Sequence, residues 1–183
     1  MDKYFLADKD SVLVVVDIQE RLAAVMSERQ KVIGNSLHLI EAARVLHFPV
    51  LLTEQYPKGL GTTVPEIREA LPFYRPVEKM TFDCCGQPTF LEELKEHNKS
   101  NVVLTGMETH ICVLQTCIGL LHGGFDVHLV RDAVCSRSRE NWKTGVEFMR
   151  DAGAVITCTE TVLFQVLERA GTEEFKKISQ RIK

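Results

Sequence analysis

The feature that most constrains the fold is an unbroken apolar run, Val-Leu-Val-Val-Val, at residues 12–16. A strand with one face in solvent alternates apolar and polar side chains, and this run does not alternate. It therefore predicts a strand that is covered on both faces, which is typical of the interior of a parallel sheet. No apolar run approaches the roughly 20 residues that a membrane-spanning helix needs, so we expect no membrane partner.

Further strand-like runs follow, and segments with apolar residues at three- to four-residue spacing separate them. The predicted strands are residues 12–16, 49–53, 76–78, 101–105, 126–130 and 154–156. The most apolar helical segment, residues 111–121, ends before Gly123 and Gly124, a pair typical of a helix C-terminus. Alternating strands and helices predict a three-layer α/β/α, Rossmann-like fold around a mostly parallel sheet of about six strands.

Length and charge limit the domain organisation and the partners. A chain of 183 residues fits one globular domain, residues 1–183, in which regular structure begins near Asp8. With 22 Lys and Arg against 25 Asp and Glu, the net charge is −3. This charge provides no electrostatic footprint for nucleic acid, so we expect no nucleic-acid partner.

The cysteines and the first residues bear on the compartment. Six cysteines at irregular spacing do not resemble a disulfide framework. Adjacent Cys84 and Cys85 fall in a predicted loop, and packing or exposure without a role is the favoured interpretation. The alternative is that they line a pocket or are prone to oxidation. The first ten residues contain acidic side chains and no apolar segment typical of a secretion signal. These features predict free thiols and a cytoplasmic location, with an organellar matrix as the alternative.

Ionisable residues and a glycine follow the predicted strands directly. In open parallel sheets, ligands bind outside the carboxyl ends of the strands, so residues at these positions converge at one edge. The positions are Asp17, Glu54, Lys79, Gly106 and Asp132. Polar residues follow most strands, so this convergence is a consequence of the predicted fold and not independent evidence for a site.

Cys112 is the candidate nucleophile, because it lies near the start of the apolar helix and six residues past Gly106. Partial positive charge at a helix N-terminus and a nearby lysine both lower the pKa of a thiol. Asp17 is the candidate general base, since desolvation at the end of a strand helps it accept a proton. Lys79 is the candidate cation that keeps both groups ionised. Each also has a structural interpretation: a packed thiol, a capping carboxylate and a solvated lysine.

Three motifs in this order resemble the isochorismatase-like family of cysteine hydrolases. Residues 17–19 (Asp-Ile-Gln) are similar to its Asp-x-Gln motif, and residues 78–82 (Glu-Lys-Met-Thr-Phe) are similar to its lysine segment. Residues 106–113 (Gly-Met-Glu-Thr-His-Ile-Cys-Val) are similar to its Gly-x-x-Thr-x-x-Cys-Val motif. Residues 54–61 resemble its subgroup of uncharacterised isochorismatase-domain proteins. The similarity covers nearly the whole chain.

The resemblance implies a catalytic triad and an oxyanion hole. The triad is Asp17, Lys79 and Cys112. The hole consists of the backbone N–H groups of Glu108 and Cys112, beside a cis peptide bond between Met107 and Glu108. The implied reaction is attack of the Cys112 sulfur on a small amide or related carbonyl compound, followed by hydrolysis of the thioester.

Family position also suggests which residues bind the substrate and how the chain assembles. Gln19 is close to Asp17 in sequence, and the remaining candidates form apolar walls. The candidate substrate-binding residues are Gln19, Leu22, Tyr56, Phe82 and Ile111. The apolar candidates are equally compatible with core packing. The family further implies a homo-oligomer, either a dimer or a tetramer.

Differences from better-known members of the family limit the cofactors and reactions that we expect. Nicotinamidases of the family carry a metal-binding Asp-x-His pair after the second strand, whereas residues 53–75 contain no histidine, so we expect no metal. No Gly-x-Gly-x-x-Gly motif follows the first strand, so we expect no dinucleotide cofactor. Members that hydrolyse vinyl ethers use the aspartate without needing a cysteine, so Cys112 favours amide chemistry. Vinyl ether hydrolysis through Asp17, and ligand binding without catalysis, are the alternatives.

Overall fold

The computed structural model describes residues 3–182, and positions 1, 2 and 183 of the predicted domain lie outside the described residues. The described residues form a sheet of six strands, all parallel, in the order β3-β2-β1-β4-β5-β6. The predicted α/β fold is therefore confirmed. The strands are β1 (Ser11–Val16), β2 (Val50–Gln55), β3 (Val77–Lys79), β4 (Asn101–Met107), β5 (Asp126–Cys135) and β6 (Val155–Thr157).

Helices cover both faces of the sheet, and this explains the unbroken apolar run of β1. Leu13 and Val15 join a core with the second and eighth helices, whereas Val12, Val14 and Val16 join a separate core with the fifth to seventh helices. All five side chains are fully buried. The helices are α1 (Glu20–Ala24), α2 (Arg29–Leu46), α3 (Pro57–Leu60), α4 (Pro65–Ala70), α5 (Pro88–Glu96), α6 (Leu114–His122), α7 (Arg139–Asp151), α8 (Thr159–Leu167) and α9 (Glu173–Ser179).

The order of the strands reverses between β1 and β4, and ligands bind at such a switch point in related sheets. Gly106 at the end of β4 pairs in register with Val16 at the end of β1. A Cβ at Gly106 would lie 2.0 Å from the Val16 carbonyl oxygen, and the residue has φ of 130°. Only glycine combines this backbone conformation with so close an approach of two strands.

Several sequence-based boundaries differ from the structure, and Lys79 and Gly106 lie inside β3 and β4 instead of after them. Glu54 lies inside β2 because that strand continues to pair with β3, where Glu54 is opposite Glu78. Asp132 lies inside β5, which continues past a register shift to pair with the end of β4. The helix predicted over residues 111–121 begins earlier, as a π-helical turn at Thr109–Val113 that leads into α6. No helix within residues 3–182 is long and apolar enough to cross a membrane.

Candidate active site

A buried ion pair joins Asp17 and Lys79, which are 62 residues apart in the sequence. Asp17 directly follows β1 and has a left-handed backbone with φ of 51°. Lys79 is the last residue of β3. Its Nζ lies 2.7 Å from Asp17 Oδ2, and both side chains are fully buried. A buried charge is costly unless it is paired, so each of the two groups offsets part of the cost of burying the other.

Further polar groups complete this pair. The Thr53 hydroxyl donates to Asp17 Oδ1 at 2.7 Å, and the Lys79 ammonium donates to Gln55 Oε1 at 2.9 Å. The ammonium also lies 3.3 Å from the Thr81 carbonyl oxygen. Burial alone lowers the pKa of Lys79, but the charge of Asp17 and the neighbouring thiols outweigh it, and the net shift of the pKa is upward. The lysine is therefore a permanent cation at neutral pH.

Cys112 lies in the π-helical turn beside this pair, and its side chain interacts with both Asp17 and Lys79. The residue is only 6% exposed. Burial raises the pKa of the Cys112 thiol, the negative charge of Asp17 raises it further, and Lys79 opposes the shift. The expectation of a lowered pKa at the helix start is thus wrong, because desolvation and a neighbouring carboxylate dominate. The thiol is protonated at neutral pH, with Asp17 as its neighbour.

Cys84 is a buried neighbour of the ion pair, which is a position that the sequence alone does not favour. Its thiol is fully buried, and Sγ lies 3.8 Å from the Thr53 hydroxyl that bonds Asp17. Its backbone N–H donates to the Thr116 hydroxyl on α6. Burial raises the pKa of Cys84 to about 12, against the influence of Lys79. The closeness of Cys84 to Lys79 along the chain is the one sequence signal that could have indicated this position.

The turn between β4 and Cys112 is held to the end of β5. The peptide bond between Met107 and Glu108 is cis. The Glu108 carboxylate accepts two hydrogen bonds from Arg137, one from its backbone N–H and one from Nε, both at 3.1 Å. His110 Nδ1 lies 2.9 Å from the Ser136 hydroxyl. These contacts fix the backbone that precedes Cys112.

The five candidate substrate-binding residues have different environments. Gln19 is buried, and its amide donates to the carbonyl oxygens of Gln55 and Gly61 at 3.0 and 2.6 Å. Leu22 packs against the core on the α2 side of the sheet, whereas Ile111 packs against the core that contains Cys112. Two further candidates are about half exposed and follow β2 and β3 closely, and these are Tyr56 and Phe82.

Glu54 and Asp132, the other two carboxylates predicted at this edge, bond to loops and helices. Glu54 Oε1 accepts from the Thr63 N–H at 2.6 Å, from the Thr63 hydroxyl at 2.7 Å and from the Tyr74 hydroxyl. Asp132 Oδ1 accepts from the N–H and the hydroxyl of Thr159 at the start of α8, both at 2.8 Å. Within residues 3–182, no three His, Cys, Asp or Glu side chains are grouped so that they could hold a metal ion.

Known proteins share this sequence and fold. Residues 11–161 match the isochorismatase domain family. The secreted isochorismatase effector Isc1 of Phytophthora sojae (strain P6497) is 40% identical, over 97% of this chain and 87% of that protein. Isochorismatase domain-containing protein 2A of Mus musculus is 36% identical, over 96% of this chain and 84% of that protein. The structure of MAR1 ribonuclease from Caenorhabditis elegans matches with a TM-score of 0.91 at 38% identity, over 97% of this chain and 92% of that one. The chain therefore belongs to the isochorismatase family.

Proposed function

We propose that this chain is a metal-independent cysteine hydrolase that acts on a small amide or a related carbonyl compound. Cys112 is the nucleophile, Asp17 is the general base, and Lys79 keeps Asp17 ionised. The observation that carries the proposal is the fully buried Lys79–Asp17 pair, with a 2.7 Å contact, next to the Cys112 thiol. A protein core gains little from an isolated buried ion pair, so its position beside a nucleophile favours a chemical role.

In the proposed reaction, Asp17 takes the thiol proton as the Cys112 sulfur attacks the substrate carbonyl carbon. The carbonyl oxygen becomes an oxyanion, which the backbone N–H groups of Glu108 and Cys112 stabilise. When the C–N bond breaks, Asp17 returns the proton to the leaving amine. Water, deprotonated by Asp17, then hydrolyses the thioester and releases the acid and the free thiol.

Because the pKa of the Cys112 thiol is raised, the proposed role of Asp17 is to remove the proton of that thiol. A thiol that is protonated at rest needs a base that removes its proton during the attack, and Asp17 is the carboxylate whose charge acts on it. The Thr53 hydroxyl and the Lys79 ammonium occupy one carboxylate oxygen each, which restricts the carboxylate to one orientation. Lys79 thereby positions the base as well as balancing its charge.

The test uses Cys112→Ala and Asp17→Asn with a panel of small amides, and measures amine release and the mass of a trapped acyl-enzyme. Cys117→Ala is the matched control, because Cys117 is also fully buried and lies on the adjoining helix α6. We expect Cys112→Ala and Asp17→Asn each to lose turnover by at least about a hundredfold, and Cys117→Ala to retain it. Activity is expected to survive EDTA treatment.

The same variants separate the alternatives. With a vinyl ether added to the panel, full turnover by Cys112→Ala, together with its loss in Asp17→Asn, would instead indicate a hydrolase such as a vinyl ether hydrolase, in which Asp17 activates water. No turnover across the panel, together with iodoacetamide labelling of Cys112 that is unchanged in Asp17→Asn, would favour a binding protein without catalysis.

We further propose that the chain has no nucleic-acid partner, although the similar protein from Caenorhabditis elegans is described as a ribonuclease. The net charge is −3, and the side chains of Asp17 and Lys79 are not accessible to a polymer. Incubation with labelled RNA tests this. Cleavage that disappears in Asp17→Asn would overturn the proposal.

Assembly and location are also proposals. We expect a homo-oligomer, a dimer or a tetramer, because large apolar side chains such as Phe73 and Met80 are 87% and 69% exposed. Sedimentation at 20.7 kDa alone would contradict it. All six cysteines are free thiols, which fits the cytoplasm, whereas the relative from Phytophthora sojae is named as secreted. Cell fractionation distinguishes the two locations.

A further inference from the structure

A cavity of about 360 Å³ lies apart from the proposed triad. It is bounded by the start of α2, the C-terminal part of β5 and the first turn of α7. Neither the triad residues, nor Glu108, nor the five candidate substrate-binding residues line it. Its volume is within the range of cavities that bind small molecules.

Three cations face this cavity. Lys31, Arg131 and Arg139 all line it, and none of them forms an ion pair with another of residues 3–182. Two carboxylates, Glu28 and Asp132, line it as well. Three cations against two carboxylates give the lining an excess of one positive charge. An anion in the cavity would balance this excess and reduce the repulsion among the three cations.

The first turn of α7 adds to the positive potential. Arg139 is the first residue of this 13-residue helix, and Trp142 lies one turn further along. The N-cap Ser138 accepts a hydrogen bond from the Asn141 N–H. The remaining N–H groups of the first turn carry partial positive charge, which favours an anion at this end of the helix.

Trp142 fixes one of the cations in place. Its indole N–H donates to the Arg131 carbonyl oxygen at 3.2 Å, and the Arg131 guanidinium lies 5.4 Å from the centre of the indole ring. A guanidinium that is held against an aromatic face loses less conformational freedom when it binds a ligand. Arg131 is therefore prepared to contact an anion in the cavity.

We propose that this cavity is a binding site for a small, doubly charged oxyanion of the phosphate or dicarboxylate type. Guanidinium groups bind both classes through paired hydrogen bonds, and Lys31 supplies a point charge. The site does not depend on the proposed hydrolase activity, since it shares no residue with the triad.

The experiment uses the intrinsic fluorescence of Trp142, which is the single tryptophan of the chain. The full chain is titrated with inorganic phosphate, with malonate and with sodium chloride at matched ionic strength. We expect a saturable change in fluorescence with phosphate, with malonate or with both, and no saturable change with chloride. Saturation by one of the two probes alone identifies the ligand class.

Variants show whether the signal arises in the cavity. Arg139→Gln and Lys31→Gln are each expected to weaken binding by about tenfold, because each removes one charged contact. Lys143→Gln is the matched control, since Lys143 is exposed on α7 and does not line the cavity. It removes the same charge and is expected to leave binding unchanged. An absent or unsaturable response to both probes, or equal weakening by Lys143→Gln, would overturn the proposal.

Discussion

Asp17 and Glu54 are two buried carboxylates at the carboxyl edge of the sheet, and they are stabilised in different ways. Asp17 lies 2.7 Å from the Lys79 ammonium, so a full positive charge balances it. Glu54 accepts hydrogen bonds from neutral donors of Thr63 and Tyr74. One buried carboxylate is thus stabilised by a cation, and the other is stabilised by hydrogen bonds from neutral donors.

The partners determine what each carboxylate can do. Asp17 interacts electrostatically with the Cys112 thiol, and exchange of a proton with that thiol is the role that we propose for it. Thr63 precedes α4 and Tyr74 follows it, so the hydrogen bonds that Glu54 accepts connect both ends of that helix to β2. Burial of a carboxylate at this edge therefore does not by itself indicate catalysis. The groups that the carboxylate bonds to are needed to assign its role.

The largest predicted effect comes from removing the cation. Lys79→Met leaves the Asp17 carboxylate buried without its counterion, and breaking such a pair costs about 3–5 kcal/mol of unfolding free energy. Urea unfolding followed by circular dichroism measures it. The control is Arg150→Gln, which breaks the exposed Arg150–Asp151 pair and is expected to have no measurable effect.

A double variant tests whether the unpaired Asp17 carboxylate causes that loss of stability. Asp17→Asn combined with Lys79→Met removes both charges, so the double variant is expected to be more stable than Lys79→Met alone. Because the double variant lacks the proposed general base, we expect it to show no turnover. A double variant that is less stable than Lys79→Met would show that an unpaired carboxylate is not the cause.

The fold was largely predictable from the sequence, because both-face burial leaves a visible pattern of unbroken apolar runs. Strand ends were less predictable. Nothing local in the sequence shows that β2 extends through Glu54, since the extension depends on pairing with β3 from more than twenty residues away. The position of Cys84 beside Asp17 and the raised pKa of Cys112 depend in the same way on three-dimensional burial. Local sequence indicates which groups could react, and tertiary packing sets their protonation.

A smaller loss of stability is expected when the charge of Glu54 is removed. Glu54→Gln keeps an acceptor oxygen for Thr63 and Tyr74 but removes its charge, so we expect a loss of about 1–2 kcal/mol in unfolding free energy. Glu78→Gln is the matched control, because Glu78 is exposed and lies opposite Glu54 in the sheet. Iodoacetamide labelling of Cys112 is expected to be unchanged in both variants. A labelling rate that changes in Glu54→Gln would mean that the two carboxylates are coupled.

The smallest effect comes from one neutral donor. Tyr74→Phe removes the hydroxyl that donates to Glu54, and we expect a loss of about 1 kcal/mol at pH 8. Burial and then the hydrogen bond to Glu54 raise the pKa of Tyr74 above its ordinary value of 10.0. The folded state therefore holds this proton more tightly than the unfolded state, and the stabilisation is complete below about pH 10.

This stabilisation is lost as the pH rises from about 10 through the raised pKa of the folded state. The difference in unfolding free energy between wild type and Tyr74→Phe should consequently shrink above pH 10, which urea unfolding at several pH values measures. Tyr56→Phe is the control, because Tyr56 is 47% exposed and its replacement should change stability by less than about 0.5 kcal/mol at pH 8. If the Tyr74→Phe difference stays constant up to pH 11, the phenol is not held by Glu54 in the way the geometry indicates. Glu54 would then be stabilised by the hydrogen bonds from Thr63 alone. The comparison with Asp17 would be between a carboxylate paired with a cation and a carboxylate bonded to one neutral residue.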